Sequence, residues 1–137
     1  MRRWAKLGAA ALLSGAASPG FAHHSVAGSY DSSHEATIEG RVVEFEFVNP
    51  HPILTIEAAV RGGEPRLWRL EMENRAVLGR GGIDAHTFNP EDYVVARGRG
   101  GRLSAHIMYV LQIDRPADGF RYEQDGTAAH VTFGKHD

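Results

Sequence analysis

The chain has 137 residues, no cysteine, eight histidines and a formal net charge of -2 at neutral pH. This length fits a single domain. The absence of cysteine excludes a disulfide framework, a thiolate zinc site, an iron–sulfur cluster and a cysteine nucleophile. The near-neutral charge argues against a dedicated nucleic-acid binder, which would carry a basic excess.

The first 22 residues have the pattern of a cleaved secretory signal peptide. Basic residues precede an apolar run from Leu7 to Ala17, and small residues surround the predicted cleavage point after Ala22. The run is far shorter than the roughly 20 residues that a membrane helix needs. Cleavage would leave 115 residues starting at His23, and the loss of three basic residues would change the formal charge to -5. We expect a soluble product, exported to a bacterial periplasm or secreted, with no membrane span after processing.

The mature chain is predicted to contain five strands, with one short helix between the third and the fourth. An extended arm over 23–34 precedes them. Alternating apolar and polar residues, or runs rich in β-branched and aromatic residues, indicate the strands. The predicted strands cover 36–48, 53–60, 67–72, 93–98 and 103–113, and the helix covers 73–78. Gly40 predicts a bulge or bend inside the first strand, and the Gly98–Gly101 segment reads as a hairpin turn.

This order predicts an all-β domain, specifically a small five-stranded OB-like Greek-key barrel over 35–114. The polar tail over 115–137 is expected to form a weak hairpin or to remain partly disordered. The residues expected to contribute to the core are Val43, Phe45, Phe47, Leu54, Ile56, Leu67, Val94, Ile107 and Val110.

Four motifs between residues 23 and 114 occur together in a known family. They are His23-His24-Ser25, Tyr30-Asp31, Asn49-Pro50-His51 and Trp68-Arg69-Leu70-Glu71. In their order and spacing the chain resembles a family of small exported bacterial proteins, the domain-of-unknown-function family numbered 6152. The resemblance implies an exported β-barrel, and it implies no activity.

The predicted mature N-terminus suggests a metal site. After cleavage, His23 has a free α-amine and an imidazole, which together can chelate one metal ion. A second imidazole would complete a three-nitrogen site suited to copper(II), and the candidates are His24, His51 and His106, with His51 preferred. On a strand, His106 and Met108 would share a face and offer a nitrogen with a thioether, a pair that favours copper(I).

Each candidate also has a simpler interpretation. The two N-terminal histidines would then be an accident of the cleavage point, and His51 would cap its turn by a hydrogen bond. Met108 would fill the core, as methionine often does. The remaining histidines are expected to be exposed to solvent, namely His34, His86, His130 and His136.

We expect a binding protein and not an enzyme, because the chain has no nucleophile elbow, phosphate-binding loop or zinc-protease motif. Glu71 and Glu73 are interpreted as solvated residues of a strand and not as an acid/base pair. The alternative to metal binding is an envelope interaction module for an anionic ligand or a protein partner. Its binding groups would come from the arginines of the middle of the chain: Arg61, Arg66, Arg69, Arg75, Arg80, Arg97, Arg99 and Arg102.

Overall fold

The computed structural model describes residues 26–59 and 62–134. These residues form seven strands and two short helices. The strands are β1 Tyr30–Glu46, β2 Ile53–Ala58, β3 Arg66–Glu71, β4 Tyr93–Gly101, β5 Ile107–Arg115, β6 Phe120–Asp125 and β7 Ala128–Thr132, and the helices are α1 Val26–Ser29 and α2 Arg75–Arg80. In these parts of the chain, neither helix has the length and apolar character needed to cross a membrane. The all-β class is therefore confirmed.

Strands β1 to β4 each pair with two other strands, and β5 pairs with three. The order in the sheet is β3-β2-β1-β4-β5-β6-β7, and all these neighbours are antiparallel. A parallel pairing between β3 and β5 adds a further connection. The long strand β1 contributes to two ladders, since its first half pairs with β4 and its second half with β2. The pairings of β1 to β5 therefore form a closed cycle.

Glycines let neighbouring strands approach closely at two positions. A Cβ atom at Gly40 would lie 2.1 Å from the Glu57 carbonyl oxygen, and one at Gly98 would lie 2.2 Å from the Tyr109 carbonyl oxygen. The prediction of a hairpin turn at Gly98 is wrong, because β4 continues through Gly101. The bulge predicted near Gly40 lies instead between Val42 and Glu44. Close backbone approach explains both glycines better than a turn does.

The buried core confirms four predicted members, Leu54, Ile56, Val94 and Val110. Phe45 and Phe47 pack against it as partly buried residues, and Ile107 is also half-buried. Two predicted members are wrong: Val43 is 46% exposed and Leu67 is 57% exposed. The bulge adds Val43 as an extra residue, so Val42 points inward instead. In β3 the inward positions are those of Trp68 and Leu70, which places Leu67 on the outer face.

The predicted arm and tail both contribute strands, so the boundaries at 34 and 114 differ from those observed. β1 begins at Tyr30, inside the predicted arm, and β6 and β7 continue the sheet beyond β5. Phe120 and Tyr122 of β6 are fully buried. The sheet thus has seven strands where five were predicted, because two aromatic residues of the polar tail complete the core. The predicted signal peptide lies outside the described residues.

The helix between β3 and β4 begins later than predicted, at Arg75. The side-chain oxygen of Asn74 accepts a hydrogen bond from the Ala76 N–H at 2.8 Å and caps this helix. Asparagine at this position satisfies a backbone donor that has no partner within the helix. The cap therefore fixes the beginning of α2 at Arg75, three residues after the end of the predicted third strand at Met72.

Candidate functional site

His51 lies in the turn between β1 and β2, which is held against the segment following β3. The Met72 N–H donates to the Pro52 carbonyl at 3.0 Å, and the Arg75 N–H donates to the Pro50 carbonyl at 3.1 Å. The Nδ1 atom of His51 lies 2.9 Å from the Met72 carbonyl oxygen. Because a carbonyl oxygen only accepts, Nδ1 must carry the proton. In the neutral ring the free lone pair is then on Nε2.

Glu71 connects the His51 turn to the beginning of β1. Its Oε1 atom lies 3.9 Å from Nδ1 of His51, and its Oε2 atom accepts a hydrogen bond from the Tyr30 hydroxyl. Tyr30 is buried, and the pKa of its hydroxyl is raised. Desolvation is the largest cause, and the hydrogen bond to Glu71 is the second. The hydroxyl therefore stays protonated at neutral pH. Both Tyr30 and His51 approach the same carboxylate, and Tyr30 is seven positions after His23 in the sequence.

His106 and Met108 do not present two ligands on one strand face. β5 begins at Ile107, and His106 has a φ angle of 61°, so strand alternation does not extend to it. The exposed His106 ring meets the Trp68 ring edge-on, with the centroids 5.1 Å apart. Met108 is fully buried in the core. The prediction that His106 and Met108 share one face of a strand is therefore wrong.

The remaining predicted ligands, His23 and His24, lie outside the described residues, as does His136. The expected exposure of His34, His86 and His130 is confirmed. Over 26–59 and 62–134, no group of three or more histidine, aspartate or glutamate side chains is arranged to hold a metal ion. Among the described predicted ligands, His51 is the one whose ring is oriented by a backbone carbonyl.

A second polar cluster surrounds Glu73, just after β3. Glu73 Oε2 accepts hydrogen bonds from the Tyr109 hydroxyl at 2.9 Å and from Gln124 Nε2 at 3.1 Å, and Oε1 accepts from the Asn74 N–H at 2.7 Å. Gln124 in turn accepts from the Tyr122 hydroxyl at 2.8 Å. The pKa of Tyr109 is raised, mainly by desolvation and next by the hydrogen bond to Glu73. Desolvation also raises the pKa of Tyr122. Neutral donors therefore surround the Glu73 carboxylate.

These two carboxylates correct the interpretation of Glu71 and Glu73 as simply solvated. Each accepts a hydrogen bond from a buried tyrosine, Tyr30 or Tyr109. The donors are 41 and 36 residues away along the chain. Spacing within a short segment contains no signal for such partners. Tyr30 belongs to the predicted arm and Tyr109 to the last predicted strand, so neither position indicated these bonds.

The predicted arginines differ in how the fold uses them. Arg61 lies outside the described residues. Arg75 Nε donates to the Phe47 carbonyl at 3.1 Å, and Arg102 Nε donates to the Tyr30 carbonyl at 3.1 Å. Both side chains thus tie the surface to neighbouring backbone. Arg99, which follows the close approach at Gly98, is half-buried and makes no comparable bond within the described parts of the chain.

Comparison with known proteins supports the motif-based prediction. Searches of curated proteins and of solved structures each found no significant match. A family model described as "Family of unknown function (DUF6152)" matches residues 10–107. This range includes the His51 turn, both glutamates and Arg99, while β6 and β7 follow it. Because the match spans more than half of the sequence, the chain belongs to the DUF6152 family, whose function is unknown.

Proposed function

We propose that this protein is an exported, periplasmic binding protein that holds copper through the mature N-terminal His23 and the imidazole of His51. The observation that carries the proposal is the hydrogen bond from His51 Nδ1 to the Met72 carbonyl, at 2.9 Å. Histidines that bind metals usually donate their other ring N–H to a carbonyl or carboxylate, which orients the ring. In this chain the backbone supplies that partner, and Nε2 is the nitrogen available to a metal.

The second part of the proposed site is created by cleavage after Ala22. The α-amine and the imidazole of His23 would then chelate one ion, and Nε2 of His51 would add a third nitrogen. Three nitrogen ligands in this arrangement suit copper(II), which also binds most tightly among the common divalent metals. His24 remains an additional candidate ligand.

The length of chain before Tyr30 is compatible with this site. Four of the seven residues before Tyr30 form α1, which rises about 1.5 Å per residue, and the other three span at most about 3.6 Å each. His23 therefore lies within roughly 17 Å of Tyr30. Tyr30 and His51 both approach the carboxylate of Glu71, which brings the start of β1 beside the His51 turn. The proposed ligands therefore need no rearrangement of the sheet in order to meet.

We propose an OB-like barrel as the scaffold. Its support is the cycle of pairings β1-β2-β3-β5-β4, together with α2 between β3 and β4. Five strands joined in this order, with a helix after the third, are typical of the OB fold. Such a scaffold would hold the His51 turn rigidly, since the turn is hydrogen-bonded on both sides of the histidine.

Copper titration of the processed protein tests this proposal. For this experiment the full sequence is expressed so that a host cell can export and process it, and mass spectrometry identifies the first residue of the product. Its affinity for copper(II) is then measured by competition with a chelator of known strength. One variant carries an extra alanine before His23, which removes the amine chelate. The other is His51→Gln. We expect each to weaken copper binding by at least about tenfold, the loss that even an outer-shell partner causes.

His86→Gln is the matched control, because His86 is exposed and lies outside the proposed site. It should bind copper as the parent does. Equal affinity of the parent and the extended variant would overturn the role of His23. An unchanged affinity in His51→Gln would overturn the role of His51.

A further inference from the structure

Arg99 is a partly buried cation without a partner in the described parts of the chain. It lies near the end of β4 and is half-buried. Its Nε atom is removed from solvent and has no hydrogen-bond acceptor, and the guanidinium forms no ion pair with any described residue. Buried polar groups nearly always have a partner, so an exception requires an explanation. The Nη atoms make no hydrogen bond to a described residue either, so an anion bound at these atoms would give the guanidinium the partner that it lacks.

A cavity of about 380 Å³ lies beside Arg99. Its lining includes Arg97, Arg99, Tyr109, Leu111, Gln124 and Thr127. Arg97 and Arg99 are two positions apart in β4, so their side chains leave the same face of the sheet. The cavity thus combines guanidinium groups with an apolar wall, which is typical of sites for small organic ligands.

Two other charged groups around the cavity already have partners. Arg97 donates to Glu35 Oε2 at 2.6 Å. The Glu73 carboxylate accepts hydrogen bonds from Tyr109, Gln124 and the Asn74 backbone. Of the two arginines at this cavity, Arg99 is therefore the one without a partner, within the chain as described.

The acidic groups of the lining disfavour a ligand with more than one negative charge. The lining includes the carboxylates of Glu73 and Asp125 as well as the two arginines. Arg97 is already paired with Glu35, and the charge of Glu73 is offset in part by its three hydrogen-bond donors. A second negative charge on the ligand would add repulsion from both carboxylates, so a dianion such as phosphate is disfavoured relative to a monoanion. A carboxylate carries one charge and matches the planar fork of a guanidinium.

We propose that this cavity binds a small organic monocarboxylate, with the carboxylate on Arg99 and the apolar part of the ligand against Leu111 and Tyr109. The site is independent of the copper proposal, since it shares neither His23 nor His51. It gives a definite location to the anionic ligand that the arginine-rich middle of the sequence suggested.

Benzoate is a suitable probe because it has one carboxylate and an apolar ring. Binding is followed by NMR chemical shifts and by calorimetry on the whole processed protein. We expect saturable binding of benzoate, with shifts in Arg99, Leu111 and the β6–β7 turn, and at least tenfold weaker binding of neutral benzamide. Inorganic phosphate should bind more weakly than benzoate.

Two substitutions test the role of Arg99. Arg99→Met should weaken benzoate binding at least tenfold, and Arg99→Lys should have an intermediate effect, since lysine keeps the charge and loses the fork. Arg66→Met is the matched control, because Arg66 is an exposed strand arginine outside the cavity, and its affinity should be unchanged. The NMR spectrum of each variant checks that the fold is intact. Benzoate binding that is absent, or equal in the parent and in folded Arg99→Met, would overturn the proposal, as would tighter binding of phosphate or equal binding of benzamide.

Discussion

Two arginines of this protein, Arg115 and Arg99, are partly withdrawn from water in very different surroundings. Arg115 Nε donates to both carboxylate oxygens of Asp118, at 3.0 and 3.1 Å, and Nη2 donates to the same group at 2.8 Å. Its Nη1 atom donates to Asp92 at 2.8 Å and to the Thr87 carbonyl. Arg99 has no such partner in the described residues. All three guanidinium nitrogens of Arg115 thus have partners, whereas Arg99 is unpaired.

The Arg115 cluster connects segments that are distant in sequence. Arg115 ends β5, Asp118 lies in the next turn, and Asp92 precedes β4. The guanidinium also lies over the Phe88 and Phe120 rings, at 5.7 and 5.1 Å from their centroids. Burial alone would lower the pKa of Arg115, but its bonds to Asp118 and Asp92 outweigh this and raise it. This arginine therefore acts as a structural crosslink.

The comparison separates structural charge from charge available to a ligand. A guanidinium whose three nitrogens all donate to the protein contributes mainly to the stability of the folded chain. An unpaired guanidinium beside a cavity costs stability in the free protein, because its desolvation is not compensated. Such a cost is typical of binding sites, where stability and function compete.

The largest expected effect is that of Arg115→Gln. The change leaves two carboxylates without their shared cation and removes the contact with two rings. We expect the free energy of unfolding to fall by about 2–3 kcal/mol, between the values for exposed and buried ion pairs. Urea denaturation measures this loss. Arg121→Gln is the control, since its pair with Asp114 is single and half-exposed, and it should cost less than about 1 kcal/mol. Equal losses of unfolding free energy in the two variants would show that the Arg115 cluster contributes no more than a single exposed ion pair.

Acid should weaken the same cluster through Asp118. The hydrogen bond from Arg115 lowers the pKa of Asp118 below its ordinary value. A carboxylate with a lowered folded-state pKa adds stability above its unfolded pKa, and this stability is lost as the pH falls through the folded value. In Asp118→Asn that contribution is missing at every pH. We therefore expect the stability difference between the parent and this variant to shrink as the pH is lowered from about 6 to about 3.

Asp31 provides an internal reference for this experiment. Hydrogen bonds from Ser33, and then from His34, lower the pKa of Asp31 to about 2. Its acid response is the same in the parent and in Asp118→Asn, so it cancels in the difference. If the stability difference between the parent and Asp118→Asn stays constant with pH, the pairing with Arg115 does not lower the pKa of Asp118.

Much of the fold could be predicted from short-range patterns. The alternation in β2 correctly identified Leu54 and Ile56 as core residues. The same reasoning failed at Val43, because a bulge adds one residue and reverses which side chains face inward. It also failed at Gly98, since a glycine needed for close strand approach has the same appearance in sequence as a glycine in a turn. In both cases the deciding contact comes from another strand.

The candidate sites show this limit more strongly. The Asn-Pro-His turn is a local motif, and His51 was identified directly from it. The proton on its Nδ1 depends on the Met72 carbonyl, 21 residues away. Arg99 was one of eight arginines, and nothing in the sequence distinguishes it from Arg97. The distinction comes from partners: Glu35, 62 residues from Arg97, neutralises that residue and not its neighbour.

The smallest expected effect is that of Arg99→Met on the free energy of unfolding. Its sign is opposite to, or at least not the same as, that expected for Arg115→Gln. Arg99→Met removes a partly buried, unpaired charge and keeps a side chain that packs along the same path. We expect the free energy of unfolding to stay constant or to rise by up to about 1 kcal/mol, since no described hydrogen bond is lost. Urea denaturation of this variant, beside Arg66→Met as the exposed control, measures the change. A loss above about 1 kcal/mol would show that Arg99 stabilises the fold like Arg115. A gain in stability together with a loss of benzoate binding would instead show that the unpaired guanidinium is retained for a ligand.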